Sequence, residues 1–573
     1  MIVYRKSEEE CVTSDLVREV AALAGKMTGG ARHDAATELL METGRLEAGI
    51  TDALFPDADG VNELTMAARR ASIMAGHVFV SSWEGRAKDV AERASDLLMA
   101  LEGISVMPLP WKIKTRIPEG FVHYGLFPEV YIKAAKDFYT AERPEEAVCI
   151  GLRSIGTSLS AVVAATLEDR GCRVRSFTFR PKGHPFRRKA RLTQQLEGAL
   201  KRLGKPFLIV DEGPGLSGTS FASAAKKIRS LGFKDEDIFF FPSWNPDASA
   251  FLSSEAREIW VRHEKFVSSF EELWVQSGRL AKEASVGPGL VDISAGMWRS
   301  MFYKGESDYP ATHPRHERRK YLSEGSVLLK FAGHGRYGRK KLARASALAD
   351  AGFGLPVSGL YNGFLKTDFV AARPLSGFEV NQVLLDEMAG YLAFIRRSFP
   401  ASRGMEFDEF VQMALRNITL GLGQDWAQKA ERFGEMKGVY AGGTPVEVDG
   451  RMLPVEWLLT KKGYKKADTL DHHSDQFFPS SQDISWDLAS AIIEFDMNPM
   501  EQHYFLSKYS AASRDAVSRE RLRLYMVAYL AFRLGYASFA AYELAATPEG
   551  PRFKNLAWRY AARLKREILW IAN

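Results

Sequence analysis

The middle of the chain alternates short apolar runs with stretches of helical length, and this alternation restricts the fold more than any other feature. Four runs rich in β-branched and aromatic residues lie at 147–152, 175–180, 207–212 and 237–244, and amphipathic stretches separate them. Strands that alternate with helices in this way are typical of βαβ units and a parallel sheet. We therefore predict a parallel α/β domain in this part of the chain.

The regions on either side carry different patterns and divide the chain into three predicted parts. Residues 1–105 are rich in Ala, Leu, Glu and Arg at helical spacing, which predicts a helical N-terminal region. Residues 106–290 hold the parallel-sheet domain. Residues 291–573 begin with strand-like runs and become mostly helical after residue 380. The predicted fold class is α/β and α+β in one multidomain chain, with a small sheet lobe and a helical lobe at the C-terminal end.

Composition narrows the class of protein. The 573 residues carry a formal net charge of +6, and such a mild charge does not suggest a dedicated nucleic-acid binder. The three cysteines, Cys11, Cys149 and Cys172, form no CxxC pair, so neither a disulfide framework nor a zinc site is indicated. The N-terminus lacks the apolar core of a signal peptide, and Arg533 and Glu543 interrupt the most apolar late segment. We expect a cytoplasmic protein with small-molecule substrates and neither membrane nor nucleic-acid partners.

Two adjacent carboxylates follow the most apolar of the predicted strands. In FLIVDEGPGLSGTS, Asp211 and Glu212 come directly after a continuous apolar run, and a loop of small residues follows them. Ligands of an open parallel sheet bind beyond the carboxyl ends of its strands. The NH and hydroxyl groups of such a loop, together with the start of the next helix, can surround a phosphate. Because the acids could hold hydroxyl groups or a metal ion, a ribose 5-phosphate fits both halves of this arrangement.

This stretch resembles the loop that binds 5-phosphoribosyl 1-diphosphate (PRPP) in type I phosphoribosyltransferases. In that family two acids hold the ribose hydroxyl groups and the following loop holds the 5-phosphate. The resemblance implies that Asp211 and Glu212 bind the ribose of PRPP and act in catalysis. It assigns the 5-phosphate to Ser217, Gly218, Thr219 and Ser220. The loop is one residue longer than the usual spacing, and Glu212 stands where Asp is commoner.

Two other segments match the same family by position. GLRSIGTSL follows a predicted strand where the family keeps its pyrophosphate-binding loop, and FTFRPKGHPFRRKAR lies where a flexible basic segment closes over the diphosphate. Cations there would stabilise the leaving pyrophosphate, and closure would exclude water. The resemblance assigns PRPP binding also to Arg153, Ser154, Gly156, Thr157, Ser158, Arg180, Lys182 and Arg187. It implies a Mg²⁺-dependent phosphoribosyltransferase, a glycosyltransferase that releases pyrophosphate when it modifies a small molecule.

The acceptor of that reaction has no readable motif. The segment EGFVHYGLFPEVY (119–131) is a candidate for acceptor recognition, because it brings Tyr124, Phe127 and Tyr131 close together in the sequence. Nothing in the sequence identifies the acceptor itself.

The C-terminal part resembles the kinases related to aminoglycoside phosphotransferases. SVLLKF places Lys330 in the middle of a predicted strand, and a helix-like stretch and a hinge-like strand follow, as in the small lobe of that family. There, a His-Gly-Asp stretch supplies the catalytic Asp, an Asn assists with the metal, and a later Asp binds magnesium beyond a hairpin. The resemblance implies that Lys330 binds ATP and that Asp475 is catalytic. It further implies that Asp483 binds the metal and that Asp487 is the structural Asp of the closing motif.

The kinase resemblance has departures, and other interpretations stay open. Ser480 stands at the Asn position, and the interval from Asp475 to Asp483 is short for the hairpin. The helix after Lys330 offers no acid to pair with it before its last residue. Lys330 could instead be an edge lysine, and residues 471–475 could be a solvated loop or a metal site.

Three classes of function are compatible with these patterns. The first is a phosphoribosyltransferase coupled to ATP-dependent phosphorylation by the C-terminal domain. The second is a regulatory protein that senses PRPP or a nucleotide and has a degenerate kinase-like scaffold. The third is a purely structural interaction protein, which would bind neither ligand. Release of pyrophosphate separates the first class from the second.

Overall fold

The N-terminal part consists of four helices and an antiparallel pair of strands. The computed structural model describes residues 1–4, 8–30, 32–215, 217–377, 379–470 and 472–572, without the side chains of residues 571 and 572. The elements of this first part are β1 (Glu8–Val12), α1 (Thr13–Met27), α2 (His33–Leu54), α3 (Glu63–Trp83), α4 (Ala87–Ser105) and β2 (Lys112–Arg116).

A five-stranded parallel sheet follows, as the sequence predicts. Its elements are α5 (Glu129–Glu142), β3 (Glu146–Leu152), α6 (Ile155–Glu168), β4 (Arg173–Phe179), α7 (Gln194–Lys201), β5 (Phe207–Val210), α8 (Thr219–Ser230), β6 (Ile238–Phe241), α9 (Ser254–Arg262), β7 (Glu264–Lys265) and α10 (Arg279–Glu283). The strand order is β4-β3-β5-β6-β7, and all neighbours run parallel. Since β4 and β5 lie on opposite sides of β3, the order reverses there. The crevice beyond the carboxyl ends of β3 and β5 is the expected ligand site of such a sheet.

The N-terminal helices share one hydrophobic core with this sheet. Val78 of α3, Val162 of α6 and Leu208 of β5 belong to the same buried cluster. The guanidinium of Arg69, on α3, donates to the Thr157 carbonyl (2.9 Å) and to the Ser160 hydroxyl (3.0 Å), both on α6. The core therefore continues across the boundary predicted at residue 105, and the three domain limits stay predictions.

The C-terminal part has an antiparallel sheet and a helical region, which match the small sheet lobe and the helical lobe that we predict. The sheet has the order β11-β12-β10-β9-β8. Its strands and the enclosed helix are β8 (Val291–Asp292), β9 (Lys320–Ser323), β10 (Val327–Phe331), α11 (Gly335–Asp350), β11 (Val357–Tyr361) and β12 (Phe364–Asp368).

The helical region that follows encloses two short strand pairs, β13 with β16 and the hairpin of β14 with β15. Its elements are α12 (Gln382–Ser398), α13 (Phe407–Leu422), α14 (Gln424–Lys429), α15 (Lys437–Ala441), β13 (Pro445–Val446), β14 (Trp457–Thr460), β15 (Gly463–Lys466), β16 (Gln482–Asp483), α16 (Ser485–Glu494), α17 (Pro499–Ser513), α18 (Arg519–Glu543) and α19 (Glu549–Ala572).

Helix α18 contains a long apolar stretch. Among the described residues it alone is long and apolar enough to cross a membrane by length and composition, and 78% of its most apolar window is buried inside the protein. Arg533 in its middle donates to the Tyr560 hydroxyl (3.0 and 3.1 Å). A buried, hydrogen-bonded arginine is typical of a helix in a protein core.

Candidate functional site

The two acids singled out in the sequence lie at the crevice between β3 and β5. Asp211 and Glu212 follow the last residue of β5. Their backbone is held by neighbouring elements, because the Tyr131 hydroxyl donates to the Asp211 carbonyl (2.8 Å) and the Ser243 N–H donates to the Glu212 carbonyl (3.2 Å). Tyr131 belongs to the segment that we predict for acceptor recognition. These contacts fix both acids at the carboxyl edge of the sheet.

Two glycines leave room for the acid side chains. A Cβ atom on Gly156, at the start of α6, would lie 3.1 Å from Asp211 Oδ1, and one on Gly120 would overlap the Glu212 carboxylate. Gly120 begins a π-helical turn, Gly120–Tyr124. The Asp211 carboxylate therefore faces the start of α6, and the Glu212 carboxylate faces residues from 120 onward.

Burial dominates the electrostatics of this pair. Removal from water raises the pKa of Asp211 to about 7, although backbone N–H groups of Glu212 and Gly156 oppose the shift. Removal from water and the nearby charges of Asp211 and Glu119 raise the pKa of Glu212 to about 8. Adjacent buried acids with raised pKa values favour a ligand that brings a cation or hydroxyl donors.

Helices begin on both sides of the acids. Helix α6 starts at the carboxyl end of β3 and α8 starts just beyond the acids. Unpaired N–H groups of a first helical turn attract anions. Ser154, directly before α6, has φ of 155° and ψ of −97°, an unusual conformation of the kind that clusters at binding sites. The crevice thus offers two anion-attracting helix starts with two carboxylates between them.

The predicted 5-phosphate loop contacts the basic segment. The Thr219 hydroxyl donates to the Pro185 carbonyl (2.5 Å), and Arg188 Nη1 donates to Ser220 Oγ (3.0 Å). Ser217 Oγ lies 3.2 Å from Thr219 Oγ1, and Gly218 precedes the helix. The basic segment therefore lies over this loop. In it, the Lys182 ammonium contacts the Pro56 carbonyl and Arg187 is exposed to solvent.

Two of the cations predicted to bind diphosphate form ion pairs with acids of the N-terminal part. The buried guanidinium of Arg153 contacts Asp52 (Nε to Oδ1, 2.9 Å), Asp59 and the Thr178 carbonyl (3.1 Å). Arg180 Nε donates to the same Asp52 oxygen (2.8 Å). In this conformation both arginines tie the N-terminal part to the sheet, and their contact with a diphosphate stays a prediction.

The rest of the predicted diphosphate loop is partly buried at the start of α6. Ser158 Oγ donates to the Leu40 carbonyl (3.2 Å), and Thr157 is buried with a hydroxyl group for which the structure gives no hydrogen bond. A small pocket beside Ser154 and Ser158 is lined by cations from α2, from β2 and from the loop after β4. These cations are Arg45, Lys114, Arg116 and Arg180. Lys114 and Arg116 are not among the residues that we predict, although the alternation in KIKTR indicates a strand with cations on one face.

A second, larger cavity lies between the antiparallel sheet and the helical region. It has a volume of about 310 Å³, and its lining includes Leu328, Val357 and Leu458. Lys330 Nζ, on β10, donates to Asp468 Oδ1 (2.6 Å), and both residues line the cavity. The lining combines apolar side chains with many charged ones, and a concave site with apolar walls and polar groups can bind a small molecule.

Of the two acids to which the kinase resemblance gives a catalytic or metal-binding role, one lines the cavity and the other does not. Asp475 lines the cavity and accepts a hydrogen bond from Arg318 Nη2 (2.7 Å). Asp483 is buried and does not line it, because its carboxylate accepts the N–H groups of Ser485 (2.9 Å) and Thr444 (2.9 Å). These contacts give Asp483 a structural position at the start of α16. Asp471, in the alternative metal site at 471–475, lies outside the described residues.

Another pair of acids flanks a short hairpin. Asp449 and Asp468 stand on either side of the hairpin of β14 and β15. Asp487 accepts the backbone N–H groups of Asp449 (2.7 Å) and Gly450 (2.8 Å) and so fixes the loop before the hairpin. Our sequence reasoning missed Asp449 because Glu and Val precede it in place of His and Gly. WLLTKKGYKK, two short runs around a Gly-containing turn, is the signal that could have located the hairpin.

Comparison with known proteins assigns no family. No family model matches the chain, and no curated protein matches it. Among solved structures, choline kinase LicA from Streptococcus pneumoniae is 16% identical, with a TM-score of 0.31, over 43% of this chain and 89% of the other. A choline/ethanolamine kinase family protein from Mesorhizobium loti is 14% identical, with a TM-score of 0.34, over 44% and 89%. Spectinomycin phosphotransferase APH(9)-Ia, with ADP and spectinomycin, is 14% identical, with a TM-score of 0.31, over 47% and 91%.

These three proteins belong to the class of small-molecule kinases that the C-terminal sequence resembles. Their identities and TM-scores are too low to assign a fold, an activity or a substrate to this chain.

Proposed function

We propose that the protein binds PRPP with Mg²⁺ at the carboxyl ends of β3 and β5 and transfers the phosphoribosyl group to a small-molecule acceptor, with release of pyrophosphate. One observation carries this proposal: Asp211 and Glu212 lie between the starts of α6 and α8. PRPP has the complementary arrangement, because two anionic groups flank a ribose with vicinal hydroxyl groups. The observed crevice matches this ligand better than it matches a ligand with one phosphate.

Different residues around the crevice would bind different parts of PRPP. Asp211 and Glu212 would accept hydrogen bonds from the ribose hydroxyl groups, and the start of α8, with Ser217 and Thr219, would bind the 5-phosphate. The start of α6 would bind the diphosphate, and Lys114 and Arg116 beside it add positive charge. Carboxylate oxygens are suitable ligands for Mg²⁺, which would neutralise diphosphate charge when bound.

The transfer breaks the bond between C1 of the ribose and the diphosphate oxygen, and a new bond forms between C1 and the acceptor nucleophile. The electron pair of the broken bond leaves with pyrophosphate, so cations at the start of α6 stabilise the charge that develops there. The basic segment (177–191) would cover the site and exclude water, which would otherwise compete as nucleophile.

Calorimetric titration of the full chain tests this proposal. We expect PRPP with Mg²⁺ to bind with a micromolar Kd, and ribose 5-phosphate or pyrophosphate alone to bind at least about 10-fold more weakly because each engages one helix start. We also expect affinity to rise about 10-fold or more from pH 6 to pH 8.5, since the acids have pKa values of about 7 and 8 and must be ionised to bind. A folded protein that binds none of these ligands would exclude the proposal.

A second candidate function concerns the cavity of the C-terminal part. The pairing of Lys330 with Asp468 at a cavity of about 310 Å³, which also has apolar walls, favours an adenine nucleotide as its ligand. The lysine would contact phosphates and the apolar walls would contact the base. If this cavity uses ATP to phosphorylate the substrate or product of the first site, the protein is a two-step enzyme. If it binds a nucleotide without turnover, the protein is a nucleotide-sensing regulator.

Substitution of Lys330 tests this second candidate. We expect Lys330→Met to weaken ADP binding by about 10-fold or more, because one charge-assisted contact with phosphate is lost. Lys366→Met is the matched control, since Lys366 lies on the neighbouring strand and its ammonium donates to the Ala284 and Ser285 carbonyls, away from the cavity lining. Equal ADP affinities of the two variants in calorimetric titration would contradict a phosphate contact by Lys330.

A further inference from the structure

Three side chains beside the cavity form a cluster of the kind that binds metal ions. Ligand atoms of Asp449, Glu456 and His472 all lie within 4.8 Å of one another. Glu456 and His472 also line the cavity. In proteins that transfer phosphoryl groups, acids near the nucleotide hold the Mg²⁺ that bridges its phosphates. The position of the cluster therefore suggests a divalent metal.

The ammonium group of Lys466 already lies between these acids. Lys466 Nζ is 2.7 Å from Glu456 Oε2 and 3.3 Å from Asp449 Oδ2, and it donates to the Asp468 backbone carbonyl (2.5 Å). Three oxygen atoms thus surround a group with three N–H donors. The side chains of Lys466 and Asp449 are fully buried, so this ion pair is held in a medium of low dielectric.

The carboxylate oxygen atoms of the two acids also have other partners. The Tyr391 hydroxyl donates to Asp449 Oδ2 (2.5 Å), and the Arg451 N–H donates to Asp449 Oδ1 (3.3 Å). Arg451 Nε lies 3.0 Å from Glu456 Oε1. A divalent ion could enter only if it displaced the ammonium, and two or more positive charges would then share a buried site. The residues present therefore do not fit a metal ion.

The charge states agree with this geometry. Burial opposes the charged form of Lys466, yet the charges of Asp449 and Glu456 raise its pKa above the ordinary value. Burial likewise opposes the charged form of Asp449, and the neighbouring Lys466 lowers its pKa to about 2. The lysine is a cation and Asp449 an anion over the whole physiological pH range.

We propose that the Lys466 ammonium permanently takes the place of the divalent ion at this cluster, and that the C-terminal cavity therefore binds a nucleotide without a metal. The cavity is then a binding site and not a Mg²⁺-dependent phosphotransferase site. The nucleotide part of this statement rests on the second candidate function above, whereas the metal part does not.

A Mn²⁺ titration followed by electron paramagnetic resonance tests the metal part. The parent is the full chain with Asp211→Asn and Glu212→Gln, because these changes remove the acids of the first site. We expect the parent to show no micromolar Mn²⁺ binding that Asp449→Asn abolishes; any binding at the separate group of His313, His316 and Glu543 would not depend on Asp449. Adding Lys466→Met should create one Mn²⁺ site, and further addition of Asp449→Asn should abolish it. Lys465→Met, at the neighbouring residue, is the matched control and should create no site.

Two outcomes of that titration would overturn the proposal. The first is Mn²⁺ binding by the parent that Asp449→Asn abolishes, and the second is a folded Lys466→Met variant without Mn²⁺ binding. ADP titration of the unmodified chain gives a measurement that does not depend on the folding of any variant. We expect equal affinity with Mg²⁺ and with EDTA, and a 10-fold tighter binding with Mg²⁺ would also overturn the proposal. If ADP binds under neither condition, the nucleotide site is wrong, and the Mn²⁺ result still decides the role of Lys466.

Discussion

The double substitution Asp211→Asn and Glu212→Gln is expected to weaken Mg²⁺–PRPP binding by about 100-fold or more. Each amide keeps the size of the acid but removes a negative charge that would accept ribose hydroxyl groups or attract Mg²⁺. One hydrogen bond to a charged group contributes about 1.5–3 kcal/mol, so the loss of two gives a factor of about 100 or more. Calorimetric titration at pH 8.5 measures this loss directly.

The same substitution is expected to stabilise the protein without ligand at pH 8. Burial raises the pKa values of Asp211 and Glu212 to about 7 and about 8, from ordinary values of 3.8 and 4.5. Between about pH 4 and pH 8 the folded state therefore binds more protons than the unfolded state, and the free energy of unfolding falls as pH rises. The amides do not titrate, so the variant should gain about 7 kcal/mol relative to the parent between pH 4.5 and pH 8, at about 1.4 kcal/mol per pKa unit summed over the two acids.

Urea unfolding at these two pH values measures the stability change. Glu236→Gln is a suitable control, because the Glu236 side chain is 70% exposed and its substitution should alter neither binding nor the pH dependence. A double variant that binds PRPP like the parent would exclude a ribose-binding role for the acids. A double variant that is less stable than the parent at pH 8 would contradict burial as the cause of the raised pKa values.

The parallel sheet and its acid pair could be predicted because their signals are local. A strand covered on both faces is continuously apolar, as FLIV is, and its end shows in the sequence where the carboxylates begin. The partners of Arg153 and Arg180 could not be predicted in this way. Asp52 and Asp59 lie about a hundred residues earlier, and no local pattern shows that α2 and the loop after it reach the sheet.

The C-terminal site was only partly predictable, for a different physical reason. Lys330 shows in the sequence because a charged residue interrupts an apolar strand. The acid cluster has no local signal in the sequence, because the residues that hold Asp449 are distant from it along the chain. Tyr391 lies on α12, and Lys466 is the last residue of the hairpin of β14 and β15. The resemblance pointed to Asp475 through its neighbouring histidine, whereas tertiary contacts give Asp449 the buried position and the backbone contact with Asp487.

The substitution Asp487→Ala is expected to lower the free energy of unfolding by about 3 kcal/mol. Asp487 is fully buried, and its two carboxylate oxygens accept the N–H groups of Asp449 (2.7 Å) and Gly450 (2.8 Å). Alanine would leave both N–H groups buried without these partners, and each such loss costs about 1–3 kcal/mol. Urea unfolding of the full chain measures the change.

Asp496→Asn provides the control for this prediction, because the Asp496 side chain is 74% exposed and makes a surface ion pair with Arg563, and asparagine tolerates the positive φ of 46° at this position. Such pairs contribute about 0–1 kcal/mol, so the control should be nearly as stable as the parent. Equal stabilities of the two variants would show that Asp487 does not hold the loop. A large loss confined to Asp487→Ala would mean that Asp487, on α16, holds the backbone of the loop that bears Asp449. The Lys466 ammonium, on the hairpin, holds the Asp449 carboxylate. An acid held on both sides in this way is set up to stabilise the cavity wall, and it has no free carboxylate oxygen with which to bind a metal ion or to take a proton from a substrate.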